Sequence, residues 1–369
     1  ASVAMDALSD EEACEIFRLF GFEAESAQRL YGGYSSSNFR VVGRRGPGVE
    51  PQTLLLKINN ASLSVEDAEH QLFVMDHLRH SGFPTNYPHR AEDGRMLVES
   101  KGRKVILLDF VPGVVAGSTL LEKGEDRAPA ILRELGAALA RLHAVEWPRE
   151  KRLRDIRTGF PVCNTGDLLR GEVVAALEKD AAFADHPVAA FARAHLQWLR
   201  DLYDRDVPWG LIHGDGFLDN TLFEEGRSGG VDSRLVALVD WEDSCVGPLV
   251  LDLAVSASAC CFTAANELLQ DRLVVLVHDY HKTRELNVAE RESLVDYMAA
   301  AAFACSFFRF CEFNINKPDS NETAKDSWRL HLDRAKLLRE GAAKAAVDGV
   351  ARALGGGSLG AGEQEQKRQ

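Results

Sequence analysis

The spacing of apolar positions changes near residue 113. Before it, short leucine-rich and β-branched runs alternate with Gly/Pro turns. After it, apolar residues recur mainly at helical spacing. Ser9 to Phe20 reads as a helix, because Ser9 and Glu12 have capping-box spacing and Gly21 stands at the C-terminal cap. A strand follows the Gly/Ser turn at Tyr31, running to Gly43, and Thr53 to Ile58 reads as a second strand. Ser64 to His80 places Val65, Ala68, Leu72, Met75 and Leu78 on one helical face, with Gly82 and Pro84 as the stop. Arg95 to Glu99 and Lys104 to Phe110 read as two more strands, the second broken by Pro112-Gly113.

Beyond that break, Ala128 to Val145 reads as a helix and Glu172 to Tyr203 as two helices split near Pro187. Leu211 to Phe223 and Leu235 to Trp241 are short β-type runs around a polar loop. Glu267 to His281, Val288 to Cys311 and Thr323 to Val347 read as helices. The expectation is an α+β protein with a β-rich first domain over 1–113. A mostly helical second domain follows over 114–354, and a polar, Gly-rich tail over 355–369 is expected to be disordered.

Composition narrows the functional classes. The 369 residues suffice for two domains, and 46% hydrophobic with 27% charged residues excludes collagen, coiled coil and wholesale disorder. The net charge of -13 argues against nucleic acid or anionic lipid as the partner. Seven cysteines, an odd number without C-x-x-C spacing, point to buried thiols in a reducing compartment rather than to zinc or disulfides. The apolar runs at Leu249 to Phe262 (interrupted by Asp252) and Tyr297 to Phe308 are too short to span a bilayer. The expected location is cytoplasmic, or an organelle if a transit peptide has been removed.

The candidate chemistry lies in His213-Gly-Asp-Gly-Phe-Leu-Asp-Asn220, then Asp240-Trp-Glu242, then Asp252. Singly, such Asp, Asn and Gly residues form turns. Jointly, they supply hard oxygen ligands suited to Mg²⁺ and a carboxylate suited to orienting a hydroxyl. The spacing H-G-D-x(4)-N, then V-D-W-x, resembles the aminoglycoside phosphotransferase / choline kinase superfamily of protein-kinase-like small-molecule kinases. The likeness extends over about residues 9 to 345. Gly214 to Phe223 is similar to homoserine kinases, whereas Lys57-Ile-Asn-Asn60 and Ser81-Gly-Phe-Pro-Thr85 are closer to hydroxylysine kinases.

The resemblance implies a bilobal fold with a small antiparallel-sheet lobe that binds ATP and a larger helical lobe for catalysis and substrate. It implies Asp215 as catalytic carboxylate, His213 as orienter of the loop, and Asn220, Asp240 and Glu242 as metal ligands. Asp252 is implied as a structural buttress. Lys57 would meet the phosphates, paired with Glu69 or, one turn earlier, Glu66. Gly33, Ser35, Ser36 and Asn38 would form the nucleotide loop, and the backbone of Asp109 and Val111 would meet adenine. Asp219, Glu242, Tyr280 and Arg309 are the substrate candidates, although Arg309 could equally form an internal ion pair and His143 reads as a buried structural residue. The implied reaction is Mg·ATP-dependent phosphorylation of a small-molecule hydroxyl, on an amino acid or amino alcohol. The alternatives are an aminoglycoside, choline or sugar acceptor, or a nucleotide-binding protein without turnover. H-R-D, D-F-G and A-P-E are absent, which argues against a protein kinase. One departure from the family is Gly216, where relatives carry a bulky apolar residue; its absence is expected to loosen the loop or open room beside Asp215.

Overall fold

The structure is a computed structural model that describes residues 9–30, 36–59, 63–117, 127–148, 153–156, 171, 185–226 and 231–354. It forms two compact units. The first takes the chain up to Val115 together with Thr221–Ser244; the second takes Ala116–Asn220 and the chain from Cys245 onward. The fold is α+β, as the sequence predicts.

In the first unit, α1 (Asp10–Phe17) starts at the expected capping box: Ser9 Oγ accepts the Glu12 N–H and Glu12 returns the bond to the Ser9 N–H, both at 3.1 Å. Gly21 ends it with φ 77°. Five antiparallel strands follow, β1 (Glu23–Leu30), β2 (Ser36–Arg44), β3 (Gln52–Asn59), β4 (Leu97–Ser100) and β5 (Arg103–Asp109), in the order β1-β2-β3-β5-β4. Strand β1 is not apparent in the sequence. Its residues E-A-E-S-A-Q-R-L lack apolar alternation, because an edge strand needs one neighbour and can leave much of its length in water. Phe39, Val41, Leu54, Leu56, Ile58, Val105 and Leu107 alternate along β2, β3 and β5 onto one face, packed with Phe17 and Phe20.

Helix α2 (Val65–His80) is capped by Ser64, whose Oγ accepts the Asp67 N–H at 3.0 Å. Ala68, Leu72, Met75 and Leu78 are buried as expected; Val65, in the first turn, is exposed instead. Strand β6 (Val114–Val115) pairs with β8 (Thr221–Glu225), which pairs with β9 (Val231–Leu238). That pairing gathers 221–244 into the first unit.

The second unit contains α3 (Ala128–His143), α4 (Pro187–Tyr203) and the pair β7 (Trp209–Ile212) with β10 (Cys245–Pro248). Then come α5 (Leu249–Cys260), α6 (Gln270–Thr283) and α7 (Val288–Phe310). The helix expected before Pro187 and the tail 355–369 lie outside the described residues. The single helix expected over Thr323 to Val347 is three: α8 (Glu322–Asp326), α9 (Trp328–Glu340) and α10 (Ala342–Ala353), with Gly341 extended at the second break. Helix α5 has no amphipathic stripe to betray it, since ten of its twelve residues are buried. The stretch Val288–Asn316 is long and apolar enough to cross a membrane, but 78% of its most apolar window is buried inside the protein, as in a core helix.

Helices α3 and α6 touch at Gly136, where a Cβ would lie 2.4 Å from the Leu276 carbonyl oxygen. Leu139 and His143 follow at +3 and +7, on the same face of α3. This close crossing brings α3 against the loop that carries the candidate chemistry.

Candidate active site

Strand β7 delivers His213–Asn220 as a loop, and α5 holds the loop by its backbone. Asp252 Oδ2 accepts the His213 N–H at 2.7 Å and Oδ1 accepts the Gly214 N–H at 2.8 Å. One turn later Ser256 Oγ donates to the Gly216 carbonyl. Another turn later the Leu218 N–H meets Cys260, whose thiol burial pushes up to about 12. Positions 252, 256 and 260 lie four apart, so one helix face fixes the loop at successive points. Gly214 has φ 84°, which favours glycine.

The loop aims two side chains at each other. Asn220 Nδ2 donates to the Asp215 carbonyl and to Asp215 Oδ2, both at 2.9 Å. The Asp215 N–H points at His213 Nδ1 at 3.3 Å, so His213 sits beneath the loop with no exposure. Among the described residues, Asn220 Oδ1 accepts no hydrogen bond. The amide therefore turns its donors to Asp215 and leaves a hard oxygen for another ligand.

Gly216 does not open the site. It is buried, and a Cβ there would lie 3.0 Å from Leu139 Cδ2. The missing side chain lets α3 pack onto the loop, which corrects the expectation of added room.

A buried chain of groups lies behind the loop. His143 Nε2 meets Asp252 Oδ2 at 3.1 Å, and both side chains are inaccessible to water. His143 Nδ1 meets Tyr280 Oη at 2.6 Å, Arg284 donates to Tyr280 Oη at 3.1 Å, and Arg284 pairs with buried Glu290 at 2.8 Å. Burial raises the Asp252 carboxyl, but the hydrogen bond from His143, with the bond from the His213 amide, brings it below the usual range. Burial pushes the Tyr280 phenol up. Tyr280, expected as a substrate contact, is fully buried and committed to His143 and Arg284.

In the first unit, Lys57 on β3 is buried and its Nζ lies 2.8 Å from Asp240 Oδ1 and 3.6 Å from Glu242 Oε2. Burial works against the ammonium, yet the two carboxylates raise it above its ordinary value. Lys57 is not paired with Glu69, nor with Glu66; both are exposed on α2. Asn38 stands opposite Lys57 in the β2–β3 register, on the same sheet face, and its Oδ1 accepts from Ser36 Oγ at 3.4 Å. Gly33 and Ser35 lie outside the described residues.

Asp240 has φ 68° and ψ 73°, a left-handed conformation that a non-glycine residue seldom adopts. Its neighbours hold it there. Trp241 is buried, donates Nε1–H to Thr85 Oγ1 at 2.8 Å and meets Phe83 edge-on. The Leu238 N–H bonds the Pro84 carbonyl at 3.0 Å. His70 Nε2 lies 2.9 Å from the Ser244 carbonyl, tying α2 to the end of the same turn. The segment Phe83-Pro-Thr85 is thus a brace for Asp-Trp-Glu.

At the linker, the Asp109 N–H bonds the Tyr87 carbonyl at 2.9 Å and its carboxylate meets His89 Nε2 at 2.6 Å. Val111, two residues on, is half-buried, and no described residue hydrogen-bonds its N–H or C=O. In the second unit, Asp219 is exposed on the 3₁₀ turn Leu218–Asn220. Arg309, near the end of α7, buries its Nε without a hydrogen-bond partner and forms no ion pair among the described residues. Reading the sequence missed Ser256 and Cys260, although the spacing D-x(3)-S-x(3)-C was there to be read as one helix face.

The family model described as phosphotransferase enzyme family matches residues 26–286. A homoserine kinase of Methylorubrum populi is 28% identical over 316 residues, covering 85% of this chain and 88% of its own length. A homoserine kinase of Zymomonas mobilis is 23% identical over 339 residues, covering 90% and 96%. Among solved structures, an amicoumacin kinase in complex with AMP-PNP and Ca²⁺ aligns with TM-score 0.64 at 14% identity, over 89% of this chain and 94% of that one. A microcompartment-associated aminopropanol kinase aligns with TM-score 0.60 at 17% identity, over 92% and 98%. The chain belongs to the phosphotransferase enzyme family, as a kinase of small molecules.

Proposed function

We propose that the protein transfers the γ-phosphoryl group of Mg·ATP to the hydroxyl of an amino acid or amino alcohol of the homoserine type. The observation that carries this reading is the Asp215–Asn220 pair. Asn220 spends both donors on Asp215, which holds the carboxylate in one orientation, and keeps Oδ1 for a cation. Asp215 then accepts the hydroxyl proton and aims the attacking oxygen, in a reaction that needs positioning and charge neutralisation more than covalent chemistry.

Asn220 in the second unit offers an amide oxygen, and Asp240 and Glu242 in the first offer carboxylates; each is a hard ligand of the kind Mg²⁺ takes. When bound, Mg²⁺ would neutralise charge on the transferring phosphoryl group. Lys57 would exchange its carboxylate partners for phosphate oxygens, with Ser36 and Asn38 on the neighbouring strand. The N–H and C=O of Val111, which no described residue hydrogen-bonds, suit an adenine edge; Asp109 has already used its N–H. On this reading nucleotide binding falls to the first unit, which adds Thr221–Ser244 to the nucleotide lobe expected over 1–113, and the catalytic loop falls to the second.

For the acceptor, the homoserine kinases among the relatives and the aminopropanol kinase among the neighbours favour a small amine-bearing alcohol. Arg309, with a buried Nε lacking a partner, suits a substrate carboxylate, and Asp219 or Glu242 suits an ammonium group. The test is ADP release from Mg·ATP with homoserine, hydroxylysine, choline, ethanolamine, methylthioribose and an aminoglycoside, beside Asp215→Asn. Stimulation by homoserine that disappears in the variant supports the reading. Stimulation only by the aminoglycoside or the sugar overturns the acceptor class, and full activity in the variant overturns the role of Asp215.

A further inference from the structure

We propose that Tyr280 is a positioning residue for phosphoryl transfer, which acts through His143 and Asp252 to hold the catalytic-loop backbone under Asp215. The inference rests on the reading of Asp215 given above, and its own core is a count of protons along one buried chain.

The count begins at Arg284, whose guanidinium can only donate. It donates to Tyr280 Oη, so that oxygen acts as an acceptor there. The single phenolic proton is free to go to His143 Nδ1, 2.6 Å away. Nδ1 then accepts, which places the ring proton on Nε2, the nitrogen facing Asp252 Oδ2. Every group in the chain is satisfied by this one arrangement. The opposite tautomer would set an Nδ1–H against a phenol already receiving the Arg284 proton. It would also set an Nε2 lone pair against a carboxylate oxygen. No water reaches either contact, since the His143 and Asp252 side chains are inaccessible, so the mismatch would stay uncompensated.

The consequence reaches the loop through Asp252. Its Oδ2 receives both His143 and the His213 N–H, and its Oδ1 receives the Gly214 N–H. These two amides immediately precede Asp215. The chain is anchored at its far end as well: Glu290 holds Arg284 and also closes the capping box with Asn287 at the start of α7. The charged groups facing the imidazole and phenol are Asp252 from α5, Arg284 just beyond α6 and Glu290 from α7, and the titratable His213 of the loop faces Asp252. Tyr280 Oη and the Asp252 carboxylate thus ask for the same tautomer from opposite sides of the ring, and the Tyr280 proton is the group that occupies Nδ1.

The test uses the full chain with ¹⁵N-labelled histidine, with His143→Gln to assign the ring. Long-range proton–nitrogen spectra of the wild type are expected to show His143 protonated on Nε2 and bare on Nδ1. Tyr280→Phe keeps the ring volume and removes the donor. It leaves Nδ1 without its donor, and is expected to shift the His143 Nδ1 ¹⁵N resonance and to lower kcat on the order of tenfold at unchanged KM for ATP. Protonation of wild-type His143 on Nδ1 overturns the proposal even if the variant does not fold. So does a variant with unaltered kcat, or one that loses kcat while the His143 ring ¹⁵N resonances stay as in the wild type. Asp215→Asn separates the two readings: it is expected to lower kcat by roughly 10²- to 10⁴-fold and leave the His143 spectrum as in the wild type. Full activity in that variant would remove the role of Asp215, while the tautomer stands or falls on its own signal.

Discussion

Asn220 clasps Asp215 from two sides, with 2.9 Å bonds to its carboxylate and to its carbonyl oxygen. The five-residue separation makes this possible, because the 3₁₀ turn Leu218–Asn220 folds the loop back on itself. Replacing Asp215 by Asn removes the proton acceptor and keeps the volume. A positioned general base contributes roughly 10²- to 10⁴-fold, so kcat is expected to fall by that factor with little change in KM for ATP. Asn220→Ala removes the clasp and the free Oδ1 together. It is expected to lower kcat and raise the Mg²⁺ concentration needed for half-maximal rate. Steady-state rates against Mg²⁺ and ATP check both.

Lys57 without ligand is neutralised by Asp240 and Glu242. Both carboxylates reach water, at 38% and 33% side-chain exposure, so the pair is worth about 1 kcal/mol or less to stability. Lys57→Met is therefore expected to leave the melting temperature within a few degrees. Its effect should fall on nucleotide: KM for ATP is expected to rise about tenfold or more, read by initial rates and by nucleotide titration.

The reaction class was legible in the sequence because its residues are tied to a rigid local spacing. His213, Asp215 and Asn220 share one loop, and Asp240 stands just past β9. What was not legible depended on distant partners. Lys57 was expected to meet Glu69, twelve residues away. The structure gives it Asp240, 183 residues away, since Glu69 faces solvent on α2. Tyr280 looked like a substrate contact because a polar tip on a helix says nothing of which side is buried. Strand β1 and helix α5 escaped for opposite reasons, one too polar to alternate and the other too apolar to show a stripe.

Gly216 supplies a test of packing against Leu139. A Cβ at 3.0 Å from Leu139 Cδ2 demands a shift of a few tenths of an ångström, and a larger side chain demands more. Gly216→Val is expected to destabilise by about 1–3 kcal/mol through overpacking. Leu139→Ala alone leaves a cavity, yet in combination with Gly216→Val it should recover part of both losses. Urea unfolding of the two single variants and the double variant gives the coupling energy. Strict additivity would mean that the two residues do not share this space.

Gly136 sets two effects of opposite sign against each other. Within helix α3, alanine is preferred to glycine by about 1 kcal/mol. The added Cβ would stand 2.4 Å from the Leu276 carbonyl oxygen, a main-chain atom that cannot swing aside. Overpacking of that kind costs about 1–3 kcal/mol, so the clash wins and Gly136→Ala is expected to lower stability overall. It should also pull His143 away from Tyr280, because both lie along the same α3–α6 crossing. A variant more stable than the wild type in thermal unfolding would show that the helices can part at no cost.

Asp252 should make stability depend on pH in a definite direction. Its carboxyl lies below the usual range in the folded state, because the bonds from His143 and from the His213 amide outweigh the cost of burial. An unfolded Asp titrates near about 3.9. The unfolded chain therefore takes up a proton first as pH falls. The stability that Asp252 supplies is complete above about pH 4 and is lost as pH drops through the folded value. Asp252→Asn offers one acceptor oxygen where two amides and an imidazole converge. At pH 7 it is expected to cost about 1.5–3 kcal/mol for each charge-assisted bond lost. The difference between wild type and variant should then shrink as pH falls from about 4 toward 3, because only the wild type has this charge to lose. Urea unfolding across that range checks the sign, since other carboxylates titrate alike in both proteins and cancel in the difference. A gap that stays constant or widens on acidification would mean that Asp252 is not held ionised by His143 and the loop.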